Sequence, residues 1–326
     1  MDLPSPTFSF NLPSVHDDCQ LECRLYLPHQ LQNIESATQS SVHGAIVAHP
    51  YAPLGGCYDD PIVGFVGGEL LQAGYIVGTF NFRGAGSSEG RTSWTGKPEL
   101  GDYVSLYGFM LNYLQELHST LASRQNAPPS EAIHLVIGGY SFGSLIASHV
   151  PPLDVMLDLF CNGPTTPTTP IYEIGSAAQK IAAQSTRHLP PAKQNPDQDN
   201  QADQPTSRVV TTISYLLVSP LLPPVSQLLT AFSALSVSVG GKSSAQARPA
   251  GRPAEQLSAH RTLALFGDQD TFTSARKLQR WSAEMARMSQ SGFTGCEIEG
   301  AGHFWRENGV ETRARRALQE WLQSRP

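Results

Sequence analysis

Two stretches of the chain share the spacing Gly-x-Ser-x-Gly: GAGSSEG at 84–90, centred on Ser88, and GGYSFGS at 138–144, centred on Ser141. A serine flanked in this way can serve as a nucleophile when the chain turns sharply off a buried strand. The turn lifts the hydroxyl, and the helix that follows aims its first amides at a developing oxyanion. Ser141 meets this demand, since it follows the apolar run HLVIGGY without a gap and precedes FGSLIASHV, which reads as a helix. Ser88 does not, because it stands six residues past the run that ends at Phe82 and is followed by RTSWTGKP. The first pattern reads as a glycine-rich loop and the second as a nucleophile turn, with Gly139 and Gly143 letting strand and helix approach closely.

A serine hydroxyl needs a base, and the base needs a carboxylate to orient it. In strand–turn–helix architectures of this kind the chain order is serine, acid, histidine. His303, in EIEGAGHFW, lies after a strand and before the last helix, whereas His149 and His188 come too early and His260 precedes its strand. The acid should leave the preceding strand, where LFGDQD offers Asp268 and Asp270. Asp270 is the choice, because a tight turn through Gly267-Asp268 would direct the later carboxylate back toward His303. The other carboxylate is left to shape the turn or cap the next helix. Two backbone amides must face the oxyanion: Phe142, next to the nucleophile, and Tyr51, in the HPYAPLGG loop after GAIVAH. His49, at the end of that run, reads as a structural residue beneath the loop.

These groups need a scaffold of buried strands. Residues 7–28 read as two strands joined at Asp17-Asp18, and GAIVAH, GYIVGTFNF, EAIHLVIGGY, TISYLLVS, RTLALFG and GCEIEG read as further ones. Helical spacing covers 61–73, opened by an Asp60 cap and Pro61, then 99–122, 274–289 and about 307–323, whose arginines read as a solvated face. The alternation predicts an α/β fold with a mostly parallel sheet and flanking helices. Residues 1–150 and 209–326 form its core. Residues 151–208 read as an inserted cap-like excursion, with a disordered low-complexity stretch at 189–208, and 239–257 as a linker-like loop.

Composition narrows the partners. The chain has 326 residues, 40% of them hydrophobic and only 15% charged, with a net charge of −6. No basic stripe offers itself to nucleic acid. Five cysteines show no ligand-set spacing, so no metal site is expected. No charged residue occurs between Arg208 and Lys242, but Pro220, Pro223 and Pro224 break that run into a strand and an apolar helix, VSQLLTAFSALSV, rather than a membrane span. The start, MDLPSPTFSF, lacks the pattern of a secretory signal, and a cytoplasmic protein is expected. Its partner would be a small acyl substrate, with apolar walls supplied by 151–160 and 212–235.

AHPYAPLGG (48–56), NFRGAGSSEG (81–90), GGYSFGS (138–144), LFGDQDTF (265–272) and GAGHFW (300–305) together resemble the α/β-hydrolase superfamily. In particular they are similar to predicted serine hydrolases with HP…GG, NFRGxGxSxG, GxSxG, GDxD and GxxHF loops, and the low-complexity insertions have a filamentous-fungal look. The resemblance covers about residues 20–150 and 210–325 and departs at 151–208. It implies an α/β-hydrolase fold, a triad of Ser141, Asp270 and His303, and no cofactor. NFRGxGxS is a recurrent loop after the fourth strand in that family, which absorbs Ser88. A carboxylic ester or thioester is the implied substrate. Peptidases, C–C hydrolases, acyl- or polyketide-releasing enzymes and non-catalytic binding proteins are the alternatives on such a fold.

Overall fold

The computed structural model describes residues 1–32, 41–125, 133–161, 167, 169–187, 210–230, 236–239, 246–249 and 252–324. The apolar runs become the strands β1 (Phe8–Pro13), β2 (Gln20–Tyr26), β3 (Val42–Ala48), β4 (Ile76–Phe80), β5 (Ile133–Tyr140) and β6 (Thr211–Val218). A short hairpin, β7 (Ser236–Val239) with β8 (Gln246–Pro249), precedes β9 (Arg261–Gln269) and β10 (Phe293–Gly302). Eight strands form one sheet in the order β1-β2-β4-β3-β5-β6-β9-β10. Pairing is antiparallel for β1 with β2 and β2 with β4, and parallel from β4 through to β10. β3, β4 and β5 are apolar along nearly their whole length because helices cover both faces.

On one face, α3 (Lys97–Gln125) lays Leu106, Phe109, Met110, Tyr113 and Leu114 onto the sheet, all fully buried. On the other face, α2 (Pro61–Gln72) and α10 (Val310–Gln323) pack together around Phe65, Leu70, Val310, Leu318 and Trp321. Asp60 caps α2 through its side chain, which accepts from Ile62 N at 2.8 Å, and Pro61 occupies the first helical position. Arg313 and Arg316 of α10 are exposed, as a solvated face requires, whereas Arg315 is half-buried. Arg315 donates to the buried Glu69 on α2 at 2.7 Å, and Arg313 donates to the Glu299 carbonyl at 2.7 Å, so they tie the helix to its neighbours.

Three regions differ from the local reading. The helix expected over 225–237 is α7 (Val225–Leu229) followed, after a gap in the described residues, by β7. Three prolines precede that segment, and the alternation SVSV over 236–239 suits a hairpin better than a helix. The 239–257 stretch holds β8 and the start of α8 (Pro253–Ala259), whose Leu257 enters the core. From the 151–208 segment, α5 (Leu153–Cys161) and α6 (Pro170–Ser185) pack on α3, and α6 also meets β1. Met156, Ile174 and Ala178 are fully buried there, so these helices thicken the helical layer on the α3 face. The low-complexity stretch 189–208 lies outside the described residues. Among the described residues no helix is long and apolar enough to cross a membrane.

Candidate active site

β5 runs straight to Tyr140, and the chain reverses at Ser141 into α4 (Phe142–Ala147). Ser141 has φ 54° and ψ −113°, a conformation that costs an L-residue about 1–3 kcal/mol. The surroundings hold it there. Its amide donates to Val218 O on β6 at 2.8 Å, and the flanking glycines admit no side chain. A Cβ on Gly139 would sit 2.4 Å from the Gly143 backbone, and one on Gly143 would sit 2.4 Å from the Ala48 carbonyl oxygen. The spacing Gly-x-Ser-x-Gly is therefore demanded by two close backbone approaches, one within the turn and one to the end of β3.

The structure brings Ser141, His303 and Asp270 into one hydrogen-bonded chain. The Ser141 hydroxyl lies 2.8 Å from His303 Nε2, and His303 Nδ1 lies 2.7 Å from Asp270 Oδ2. The three residues are 6%, 3% and 7% exposed, so the chain is shielded from water. The second oxygen of Asp270 accepts from the amides of Phe272 and Thr273 at 2.8 and 2.9 Å, which fixes the carboxylate as an acceptor. Asp268 neither shapes a turn nor caps the next helix, because Gly267 and Asp268 lie within β9 and the expected tight turn through them does not form. Asp268 Oδ1 accepts from Gly300 N at 2.6 Å and so pins the irregular end of β10 to β9 ahead of His303.

Tyr51 and Phe142 stand side by side, their rings 5.2 Å apart. Neither backbone amide is engaged in a hydrogen bond among the described residues. His49 lies beneath this loop, fully buried, as the local reading expected. Burial pushes its imidazole down to about 4, opposed only by the hydrogen bond to Pro50, so at neutral pH it is uncharged.

The fold is similar to that of solved structures over nearly the whole chain. One is an alpha-beta serine hydrolase homologue from Coxiella burnetii (TM-score 0.51, 18% identity, 97% of this chain and 98% of that chain covered). Another is a protein of unknown function from Agrobacterium tumefaciens, proposed to be an alpha/beta hydrolase (TM-score 0.51, 19% identity, 97% and 94% covered). This is the α/β-hydrolase fold. No family model matches the sequence, and no curated protein does.

Three residues of this α/β-hydrolase core support His303 without any signal in the sequence. Tyr140 Oη donates to the His303 carbonyl at 2.9 Å, and Ser219 Oγ lies 3.5 Å from the same oxygen. Trp305 Nε1 in turn donates to Ser219 Oγ at 2.9 Å. The imidazole is also flanked by the Phe272 ring, with centroids 4.2 Å apart. Nothing in local pattern separates these residues from ordinary core aromatics and turn serines. Their role appears only when the ends of β5, β6 and β10 are brought to one edge of the sheet, the edge where open α/β sheets form ligand sites.

Proposed function

We propose that the protein is a serine hydrolase that cleaves a carboxylic ester or thioester through an acyl-enzyme. The Ser141–His303–Asp270 chain is the observation that supports this reading most. His303 Nε2 takes the proton from Ser141 Oγ as that oxygen attacks the acyl carbon, and Asp270 stabilises the imidazolium that forms. The carbonyl oxygen, now an alkoxide, is received by the amides of Tyr51 and Phe142. Collapse expels the alcohol or thiol, which leaves with the proton from His303. Water, deprotonated by the same imidazole, then attacks the acyl-enzyme and releases the acid.

A cavity of about 210 Å³ lies beside α4, lined by both polar and apolar residues and by none of Ser141, His303, Asp270, Tyr51 or Phe142. It begins one turn beyond the nucleophile, at Ser144 and Leu145, and is walled by Leu217, Leu221, Leu257 and Trp281. Leu217 and Leu221 lie in the 212–235 stretch expected to supply apolar walls. The 151–160 stretch supplies none of the lining and packs on α3 instead.

The test is fluorophosphonate labelling of the wild type beside Ser141→Ala, followed by p-nitrophenyl esters and acyl thioesters of increasing chain length. Labelling is expected only in the wild type, with kcat on the best ester reduced about 10⁴-fold or more by Ser141→Ala. Labelling that persists in Ser141→Ala would move the nucleophile elsewhere. Labelling without turnover of any ester or thioester would shift the reading to amide or C–C substrates.

A further inference from the structure

The imidazole of His49 lies against the backbone of two loops at once. Its Nδ1 is 2.6 Å from the carbonyl oxygen of Pro50, and its Nε2 is 2.9 Å from the amide nitrogen of Phe82. A backbone N–H can only donate, so Nε2 is an acceptor and the proton of the neutral ring sits on Nδ1, from which it is donated to Pro50 O. The Pro50–Tyr51 peptide is trans, so its carbonyl and its N–H point to opposite sides of the peptide plane. With the carbonyl turned inward onto a fully buried ring, the Tyr51 N–H is turned outward, and among the described residues it has no partner. A flipped peptide would instead put a carbonyl oxygen where the oxyanion is to form.

The ring is itself held in place. Phe82 precedes Arg83, whose amide donates to Asp102 Oδ2 on α3 at 3.1 Å. The Arg83 guanidinium reaches Asp102 at 2.6 and 3.0 Å and Asp17 at 2.9 Å. This anchors the Phe82 amide, which then presents itself to His49 Nε2 in one geometry. The phenyl ring of Phe82 meets the imidazole edge-on, with centroids 5.0 Å apart. A charged ring would lose the Phe82 bond, and burial keeps it neutral.

From this arrangement we propose that His49 is a positioning residue for the reaction. Locked in its Nδ1–H tautomer by the Phe82 amide, it sets the Pro50–Tyr51 peptide so that the Tyr51 N–H faces the oxyanion. The proposal rests on the hydrolase reading above and gives the NFRG loop a task, which is to fix the tautomer.

Two substitutions divide the ring's functions. The amide nitrogen of an asparagine can occupy the place of Nδ1 and donate to Pro50 O, but it leaves Phe82 N unpaired. A glutamine can accept from Phe82 N at the place of Nε2 but cannot reach Pro50 O. With a p-nitrophenyl ester, His49→Gln is expected to lower kcat about 10²–10³-fold with KM changed less than about threefold, the loss of one oxyanion donor. His49→Asn is expected to lose less than about tenfold in kcat, even where its melting temperature falls as far as that of His49→Gln. Equal kcat losses in the two variants, or losses that follow melting temperature alone, would reduce His49 to packing.

Two readouts stand apart from turnover. Crystal structures should show the Pro50–Tyr51 carbonyl swung outward in His49→Gln and unmoved in His49→Asn. An ¹⁵N NMR spectrum of the wild type should show His49 protonated at Nδ1 and bare at Nε2, and the opposite tautomer would overturn the proposal without any variant. A wild type that is neither labelled by a fluorophosphonate nor active on any ester or thioester, yet shows this tautomer with the Pro50 carbonyl turned onto the ring, would sink the hydrolase reading and leave the positioning geometry standing.

Discussion

Ser88 and Ser141 occupy the same five-residue pattern, and both are buried, at 7% and 6% exposure. Their hydroxyls nevertheless face opposite chemistry. Ser88 Oγ donates to the Asn81 carbonyl at 2.8 Å and accepts from Glu22 N at 2.9 Å, so both of its roles are taken by the backbone. Ser141 Oγ has the imidazole of His303 at 2.8 Å. The strain is also distributed differently. Around Ser88 the positive φ angles fall on glycines, Gly84, Gly86 and Gly90, whereas in the second pattern the serine itself carries φ 54°. A glycine-rich turn that relaxes onto its glycines makes a staple between strands, and one that forces its serine into a strained conformation makes a presented hydroxyl.

Replacing the group that most separates the two serines should have the largest effect. Asp270→Asn leaves the Phe272 and Thr273 bonds possible but disfavours the Nδ1–H tautomer of His303. It should lower kcat by about 10⁴-fold with little change in melting temperature. Asp268→Asn, within β9, should alter kcat far less. Equal effects in the two variants would return the acid assignment to an open question.

Acid should act next, through the bond that joins the two loops, from the Phe82 amide to His49 Nε2. His49 titrates at about 4 in the folded protein, against 6.5 for an exposed imidazole. Between those values the unfolded chain binds more protons, so unfolding free energy rises with pH across this window. The stabilisation is complete above about pH 6.5 and is lost as pH falls toward 4, an effect of about 3 kcal/mol. Denaturant titrations at pH 7 and pH 4.5 should show the slope, and His49→Gln should flatten it.

The smallest effect belongs to the first serine. Ser88→Ala unpairs one buried amide and one buried carbonyl and should cost about 1–3 kcal/mol of stability, read by urea unfolding. Fluorophosphonate labelling of the folded protein should be undiminished. A loss of labelling in Ser88→Ala at a temperature where the variant is folded would break the division of roles between the loops.

Much of this arrangement was legible before the fold was known. The run HLVIGGYSFGS carries its own structural demand, because a buried strand can reach a helix in one residue only where neighbouring side chains are missing. Asp60-Pro61 marked the start of α2 for a similarly local reason, a capping carboxylate before a residue that needs no amide partner. The end of the helix expected over 225–237, at Ser236 and Val237, was misread because its composition suits a helix as well as a strand. The hairpin partner that decides the matter, β8, comes seven residues later, across a stretch of no clear pattern. Arg315 looked solvated because its acidic partner on α2, Glu69, is nearly 250 residues away in sequence.

The chain itself determined the alternation of elements and the sharp turn at Ser141, since each rests on contacts between residues a few positions apart. Asp270 was chosen from the sequence for a turn that does not form, and the tertiary structure supplies the reason it meets the imidazole. Asp268 and Asp270 are equivalent in composition and spacing, and only the irregular pairing between Ile298 and Gly302 brings Gly300 N to the first and leaves His303 to the second. Tertiary structure alone decided the places of Tyr140, Ser219 and Trp305 around the His303 carbonyl, and the tautomer of His49. A hydrogen bond between remote strand ends leaves no periodicity in the chain, because its geometry is set by the sheet and not by the spacing of its partners.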